Sequence, residues 1–226
     1  MAQAEFRSYQ RDQVVSFRKT TEDFGGLSNM APGFPITMLG ELIRTSEALY
    51  QACRFPHMPD VQRMVIDETS PMTAKMKSKP YRKDSRPDWE DVRVSVMRWC
   101  LRVKLAQNWE TFSALLLATG DRPIVEDSRK DDYWGAKAAE DDYLAGRNVL
   151  GRLLMELREV VRSDPDRVAE VLPLDIPHFV LLGRQIPSLK RKLSMVPSRP
   201  DRADRLKVTQ PAAEKSGKKT KQGVSL

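Results

Sequence analysis

Glu47 is the residue in this sequence best placed to do chemistry. It sits in Thr45-Ser46-Glu47-Ala48-Leu49-Tyr50-Gln51-Ala52-Cys53-Arg54-Phe55, just inside a predicted short helix. Thr45 or Ser46 can cap that helix, because a side-chain oxygen there accepts an orphan first-turn N–H. Glu47, Tyr50, Gln51 and Arg54 recur at i, i+3, i+4 and i+7, so a carboxylate, a phenol, an amide and a guanidinium share one face. The positive end of the helix dipole favours an anion at this position. A fixed anion suits a nucleophile, a water activator or a stabiliser of a developing cation, and suits a proton donor poorly. The competing explanation is that Glu47 only supports its own helix start, and this stretch alone leaves both open.

Two other stretches carry comparable groups. Asp131-Asp132-Tyr133-Trp134-Gly135 could present a carboxylate beside an aromatic platform, or Tyr133 and Trp134 could anchor the loop while the acids face solvent. Gly146-Arg147-Asn148-Val149-Leu150-Gly151 places glycine and a capping Asn148 before a helix, whose free N–H groups could hold a phosphate. The alternative there is ordinary capping, with Gly151 permitting close helix packing. Trp89 could stack on a ring or serve as core. Glu47, Glu126, Asp131 and Asp132 are all available as acids, and the sequence does not rank them.

Several chemistries have no support. There is no Walker loop, no dinucleotide glycine fingerprint, no zinc-ligand spacing and no histidine triad, since His57 and His178 stand beside prolines in predicted loops. Neither a metal nor a cofactor is expected. No run of about 18 apolar residues would span a membrane, and the first residues lack the apolar core of a signal peptide. A cytoplasmic protein with no membrane partner is expected, with Cys53 and Cys100 as buried, reduced thiols.

The elements that must position these residues follow from periodicity and breakers. Residues 1–12 are polar and predicted to be loosely held. A strand is expected over 14–17, a glycine-rich loop over 20–30, and a strand pair around Gly40. Helices are expected over 59–69, from Ser70-Pro71, over 89–107, over 109–119 and over 148–163. The 89–107 helix is the longest; Trp89, Val92, Val96, Cys100 and Val103 beside Met97, Leu101 and Leu105 give it a face broad enough for a central position. Lys104 borders that face, where a lysine either snorkels to water or points into a site. Residues 75–86 read as a basic surface loop, 123–126 as a brief strand, 127–146 mainly as loop and 164–172 as a short helix. An apolar patch at 179–182 should dock on the body.

Charge is unevenly placed. The chain carries a net +7, yet residues 184–226 hold 12 Lys and Arg against 3 Asp and Glu, leaving the rest slightly acidic. A near-neutral body with a basic extension suits tail-mediated attraction to a polyanion. The organisation expected is a flexible start (1–12), one domain (13–183) with an extension after about 163, and a basic, disordered tail (184–226).

Taken in order, these segments resemble the NADAR (YbiA-like) family. The pieces that carry the resemblance are Asp23-Phe24-Gly25-Gly26-Leu27-Ser28-Asn29-Met30, Thr45-Ser46-Glu47, Tyr50-Gln51, Ser70-Pro71-Met72-x-Ala74, Asp88-Trp89-Glu90, Val96-Met97, Lys104, Leu115-Leu116-Leu117-Ala118-Thr119, Val125-Glu126, Asp131-x-Tyr133-Trp134-Gly135 and Gly146-x-Asn148-x-Leu150-Gly151-x-x-Leu154-Met155-x-x-Arg158. The resemblance spans roughly residues 14 to 162. It implies an α+β fold, mostly helical, around a small β-sheet. It implies an N-glycosidase with Glu47 and Asp131 as catalytic acids. Ser28, Asn29, Tyr50, Trp89, Lys104, Tyr133, Trp134, Gly135 and Asn148 would contact substrate.

The activity expected by that resemblance is removal of ADP-ribose from ADP-ribosylated guanine in nucleic acid, with an ADP-ribosyltransferase toxin as a partner. The alternatives are cleavage of a phosphorylated riboflavin-pathway intermediate, or a non-catalytic module that binds ADP-ribose. One departure bears on substrate preference. The family commonly reads Ser-Glu-His in the first helix, and here Ala48 follows Glu47.

Overall fold

The computed structural model describes residues 5–192. Strand β1 (Arg7–Gln10) is followed by β2 (Val15–Phe17), β3 (Ile36–Met38), β4 (Glu41–Ile43), α1 (Ser46–Ala52), α2 (Pro59–Ile66) and α3 (Pro71–Ser78). Next come α4 (Trp89–Gln107), α5 (Trp109–Ala118), β5 (Ile124–Glu126), β6 (Lys137–Ala138), β7 (Tyr143–Gly146) and α6 (Val149–Ser163). Strands β8 (Glu170–Val171), β9 (Val180–Leu181), β10 (Arg184–Gln185) and β11 (Leu189–Lys190) close the described chain. The fold is α+β and mainly helical, as expected. Its strands form several small ladders among the described residues in place of one sheet.

Local chemistry explains the starts of the helices. Thr45 accepts the Ala48 N–H at 3.3 Å and Ser70 accepts the Thr73 N–H at 3.3 Å, so both predicted caps form. Helix α4 runs through the middle, burying Trp89, Val96, Met97, Cys100, Leu101, Val103 and Leu105. Both faces of the predicted stripe are covered, and that burial is the main stabilising term of the domain. Cys53 and Cys100 are free and buried.

The pairing that matters for the site is parallel. β2 lies beside β5 with Phe17 opposite Glu126, which brings residues more than a hundred positions apart to one edge. Helix α6 presses on β5 from the other direction. Gly151 allows this, because a Cβ there would collide with the Ile124 carbonyl and the Asn148 amide.

The structure corrects five boundaries. Arg7–Gln10, expected to be loose, pairs antiparallel with β7. The stretch at 75–86 continues α3 to Ser78 and then winds as a 3-10 helix over Lys79–Asp84. The 127–146 segment contains β6 and β7. After α6 the chain makes a 3-10 turn (Pro165–Val168) and then β8. The tail begins later than 184, since β10 pairs with β9 and β11 with β8, and the Lys192 N–H reaches the Ala106 carbonyl at 2.7 Å. Backbone ladders of two residues need no periodic apolar signal, which is why composition hid them. The disordered tail expected beyond this point, residues 193–226, lies outside the described residues. Phe179 packs edge-on against Trp99 at 4.8 Å, so the 179–182 patch does dock.

Candidate active site

A cleft of about 570 Å³ opens between α1, α3, the start of α4 and the loop after β5. Ser28, Asn29, Glu47, Tyr50, Trp89, Asp131, Tyr133 and Trp134 all line it. These eight come from four separate segments, and the sequence had named each of them.

Glu47 stands on the floor of the cleft, only 5% exposed. Its backbone N–H donates to the Asn29 carbonyl at 3.0 Å. The Ser46 hydroxyl lies 3.2 Å from that carbonyl and 3.1 Å from Asn29 Oδ1, so the Gly25–Leu27 turn and α1 are fastened together behind the carboxylate. Gln51 Nε2 donates to Glu47 Oε1 at 3.0 Å, and the Ser78 hydroxyl reaches Gln51 Oε1 at 3.1 Å. The i, i+4 spacing seen in the sequence thus orients one carboxylate oxygen and leaves the other.

Aromatic rings form the walls. Tyr50 packs 5.1 Å from Trp89 and 5.7 Å from Trp134, and Tyr133 meets Trp134 at 5.3 Å. Burial, with Glu47 beside it, raises the Tyr50 phenol well above its usual range, so it stays protonated and can donate.

Asp131 bends its loop. Its Oδ1 accepts the N–H groups of Tyr133 and Trp134, both at 2.9 Å. One carboxylate oxygen is therefore held in a turn that aims the two rings.

Glu126, one of the four acids that the sequence leaves unranked, is not among the residues expected at the site. It lines the cleft at the end of β5. Burial first, and then the charges of Glu47 and Asp131, raise its carboxyl from 4.5 to about 7, with Lys75 opposing. No hydrogen bond or ion pair involves its carboxyl group among the described residues. Val125-Glu126 was visible as a motif piece, but nothing local signalled that β5 would end facing Glu47.

Three predicted contacts are placed elsewhere. Lys104 is fully buried behind the cleft, donating from Nζ to the carbonyls of Gly26 at 2.6 Å and Ser28 at 3.0 Å. Its ammonium lies 4.4 Å from the Phe34 ring and 4.3 Å from Phe112. It supports the loop that carries Ser28 and Asn29 and does not face the cleft. Asn148 is also fully buried, and its amide bridges β5: Oδ1 accepts the Glu126 N–H at 3.2 Å and Nδ2 donates to the Ile124 carbonyl at 2.8 Å. It makes no side-chain cap for α6. Gly135 lets the loop backbone pass against Glu126, where a Cβ would strike the Glu126 carbonyl. All three position the site without lining it.

The phosphate seat that the sequence left open at the start of α6, beside ordinary capping, does not form. The Val149 and Leu150 N–H groups donate to the carbonyls of Tyr133 at 3.0 Å and Trp134 at 2.9 Å, so those donors already hold the aromatic loop. Cations supply the alternative. Arg18, Arg54, Lys75, Arg82, Arg93 and Arg129 ring the cleft. Arg54 lies 5.2 Å over Trp89, and burial followed by the charge of Arg82 lowers its basicity. Guanidinia that repel each other beside an aromatic face suit an anionic ligand such as a phosphate. Lys75 and Arg82 lie in the 75–86 stretch expected to be surface loop, which conceals these two members of the rim.

Among the described residues no group of three or more His, Cys, Asp and Glu is placed to hold a metal ion, and no helix is long and apolar enough to cross a membrane. Residues 16–162 match the NADAR domain family. The chain is 38% identical over 152 residues to N-glycosidase YbiA of Escherichia coli, covering 66% of this chain and 89% of that one. It is 38% identical over 157 residues to a riboflavin biosynthesis protein of Vibrio vulnificus, covering 70% of this chain and 41% of the relative. The NMR structure of the Escherichia coli YbiA protein superposes with a TM-score of 0.56 at 34% identity, covering 69% of this chain and 92% of that one. On this match and on the cleft that its motifs build, the chain belongs to the NADAR domain family.

Proposed function

We propose that this chain is an N-glycosidase that removes ADP-ribose from ADP-ribosylated guanine in nucleic acid. The observation that carries the reading is Glu47 and Glu126 lining one cleft with aromatic walls and a cationic rim. Cleaving an N-glycosidic bond develops oxocarbenium character at the anomeric carbon of the sugar that is removed, and a fixed carboxylate stabilises that charge or activates water, as in glycosidases. Trp89 and Trp134 offer faces for a purine. Arg54 and Arg82 offer charge for a pyrophosphate. The relatives named N-glycosidase support the reaction class.

The net-basic segment from 184 onward favours a polymeric substrate, because neutralising phosphates releases counterions. An ADP-ribosyltransferase toxin that writes the modification would be the biological partner. A second reading has its own support: two relatives are named riboflavin biosynthesis proteins, so a phosphorylated intermediate of that pathway is the alternative substrate. Parallel assays on an ADP-ribosylated guanine oligonucleotide and on the free intermediate separate them. Faster turnover of the oligonucleotide, weakened by deleting residues 193–226, supports the first. Turnover of the free intermediate alone, indifferent to that deletion, supports the second.

A further inference from the structure

We propose that Glu126 is the general acid of the glycosidic cleavage, delivering the proton that the departing base needs. The assignment rests on the N-glycosidase reading above. It comes from comparing what each carboxylate in the cleft already does. Glu47 Oε1 accepts from Gln51, and Asp131 Oδ1 accepts two backbone N–H groups; both carboxyl groups are already engaged as acceptors. Among the described residues Glu126 alone of the three has no donor on its carboxyl group, yet its backbone is fixed on three sides. Its N–H donates to Asn148, its carbonyl accepts the Ala136 N–H at 2.9 Å, and its strand is paired with β2. A rigidly placed carboxyl without donors is arranged to keep a proton and give it away.

The surrounding charges act in the same direction on balance. Glu47 on α1 and Asp131 on its own loop disfavour a second anion, while Lys75 on α3 opposes them. Asp127 on its own loop is paired with Arg11 at 3.0 Å, while Arg18 after β2, Arg93 on α4 and Arg129 line the cleft as cations available to a bound phosphate. The resulting value of about 7 leaves Glu126 half protonated at neutral pH.

The step then balances as follows. The bond between the anomeric carbon of the ADP-ribose and the guanine nitrogen breaks, and its electron pair stays on that nitrogen. Glu126 transfers its carboxyl proton to the departing guanine and becomes a carboxylate. Water bonds to the anomeric carbon through its oxygen and loses a proton to the Glu47 carboxylate. The products are unmodified guanine, still in the nucleic acid, and ADP-ribose with an anomeric hydroxyl, and solvent returns the proton from Glu47 to Glu126. This division gives Glu47 the anionic role and Glu126 the acidic one, while Asp131 keeps the loop in place and its charge helps Glu126 hold the proton.

The test is a single-turnover pH profile, between about pH 5 and 9, on an ADP-ribosylated guanine oligonucleotide. The wild-type rate should fall about tenfold per pH unit above pH 7. Glu126→Gln should be about 100-fold or more slower at pH 6, with unchanged substrate affinity and no break near pH 7. A Glu126→Gln enzyme as fast as wild type, or a slow one that keeps the same alkaline break, overturns the assignment. If the variant fails to fold, carbon-13 NMR of the wild-type glutamate carboxyls decides: one group titrating near 7 supports it, and titration of every group below about 5.5 overturns it. Failure of the underlying reading looks different, because the wild type would then leave both this oligonucleotide and the free riboflavin-pathway intermediate intact at every pH.

Discussion

Glu126 and Lys104 make an instructive pair. Burial moves both from their ordinary values to about 7, from opposite sides. Lys104 has two carbonyls and two aromatic rings arranged around its Nζ. The Glu126 carboxyl has no such company and opens into the cleft. A partly buried carboxyl with no protein donor among the described residues stands where a ligand can reach it. The difference teaches that the partner list, more than the shifted value, separates a supporting ion from a reacting one. The resemblance includes both Lys104 and Val125-Glu126 and implies a substrate contact for Lys104 alone; the structure places Lys104 behind the cleft and Glu126 along it.

Three perturbations break or sharpen the comparison. The largest effect is expected at Lys104. Lys104→Met leaves the Gly26 and Ser28 carbonyls without a donor, and should destabilise the fold by about 2–3 kcal/mol in denaturant melts while kcat of the folded fraction stays within a few-fold. Its pH signature is set by a depressed folded pKa. The group is harmless to folding above 10.5, where it is neutral in both states, and its burial penalty grows as pH falls toward 7. Wild-type stability should therefore rise between about pH 7 and 10.5 through this group, and Lys104→Met should lose that rise.

Glu126→Gln should act in the opposite sense. Its folded pKa is raised, so its contribution is intact below 4.5 and is lost as pH climbs through 7. The variant should be more stable than wild type above pH 7, by about 1–3 kcal/mol, and should show no gain at pH 4. Equal stability at both pH values would place the Glu126 carboxyl in water. A gain in stability with a loss of rate is the trade expected of a strained functional group.

The smallest effect is expected at Asp131. Asparagine retains a side-chain oxygen for the Tyr133 and Trp134 N–H groups, so Asp131→Asn should change stability by under about 0.5 kcal/mol, whereas Asp131→Ala should cost about 1 kcal/mol. If Asp131 also contributes catalytically, Asp131→Asn will lose rate well beyond the slight shift expected from weakening the Glu126 proton affinity; steady-state kinetics distinguishes these.

Much of the fold was legible because it is written locally. Thr45 and Ser70 cap their helices through side-chain oxygens, the broad apolar face of α4 requires a central position, and the Gly40 hairpin turns where two residues take positive φ, Leu39 and Gly40. The site was legible where its residues sit in such elements, as Glu47, Tyr50 and Trp89 do. It was obscured where long-range pairing decides the outcome. The parallel contact of β2 with β5 places Glu126, and no periodicity encodes it. The Tyr133 and Trp134 carbonyls cap α6, and a sequence that shows open N–H groups there cannot show what fills them. Lys75 and Arg82 of the cationic rim were hidden for a compositional reason, since a basic stretch broken by Pro80, Ser78 and Ser85 resembles solvent-facing loop whichever way its cations turn.

The central claim is that Glu47, oriented by Gln51 at the base of this cleft, is needed to cut an N-glycosidic bond. Mass spectrometry of an ADP-ribosylated guanine oligonucleotide tests it most directly. The wild type should restore unmodified guanine and release intact ADP-ribose, and folded Glu47→Ala should do so about 1,000-fold more slowly. An adduct that the wild type leaves unchanged, or that Glu47→Ala removes at the wild-type rate, would contradict the account.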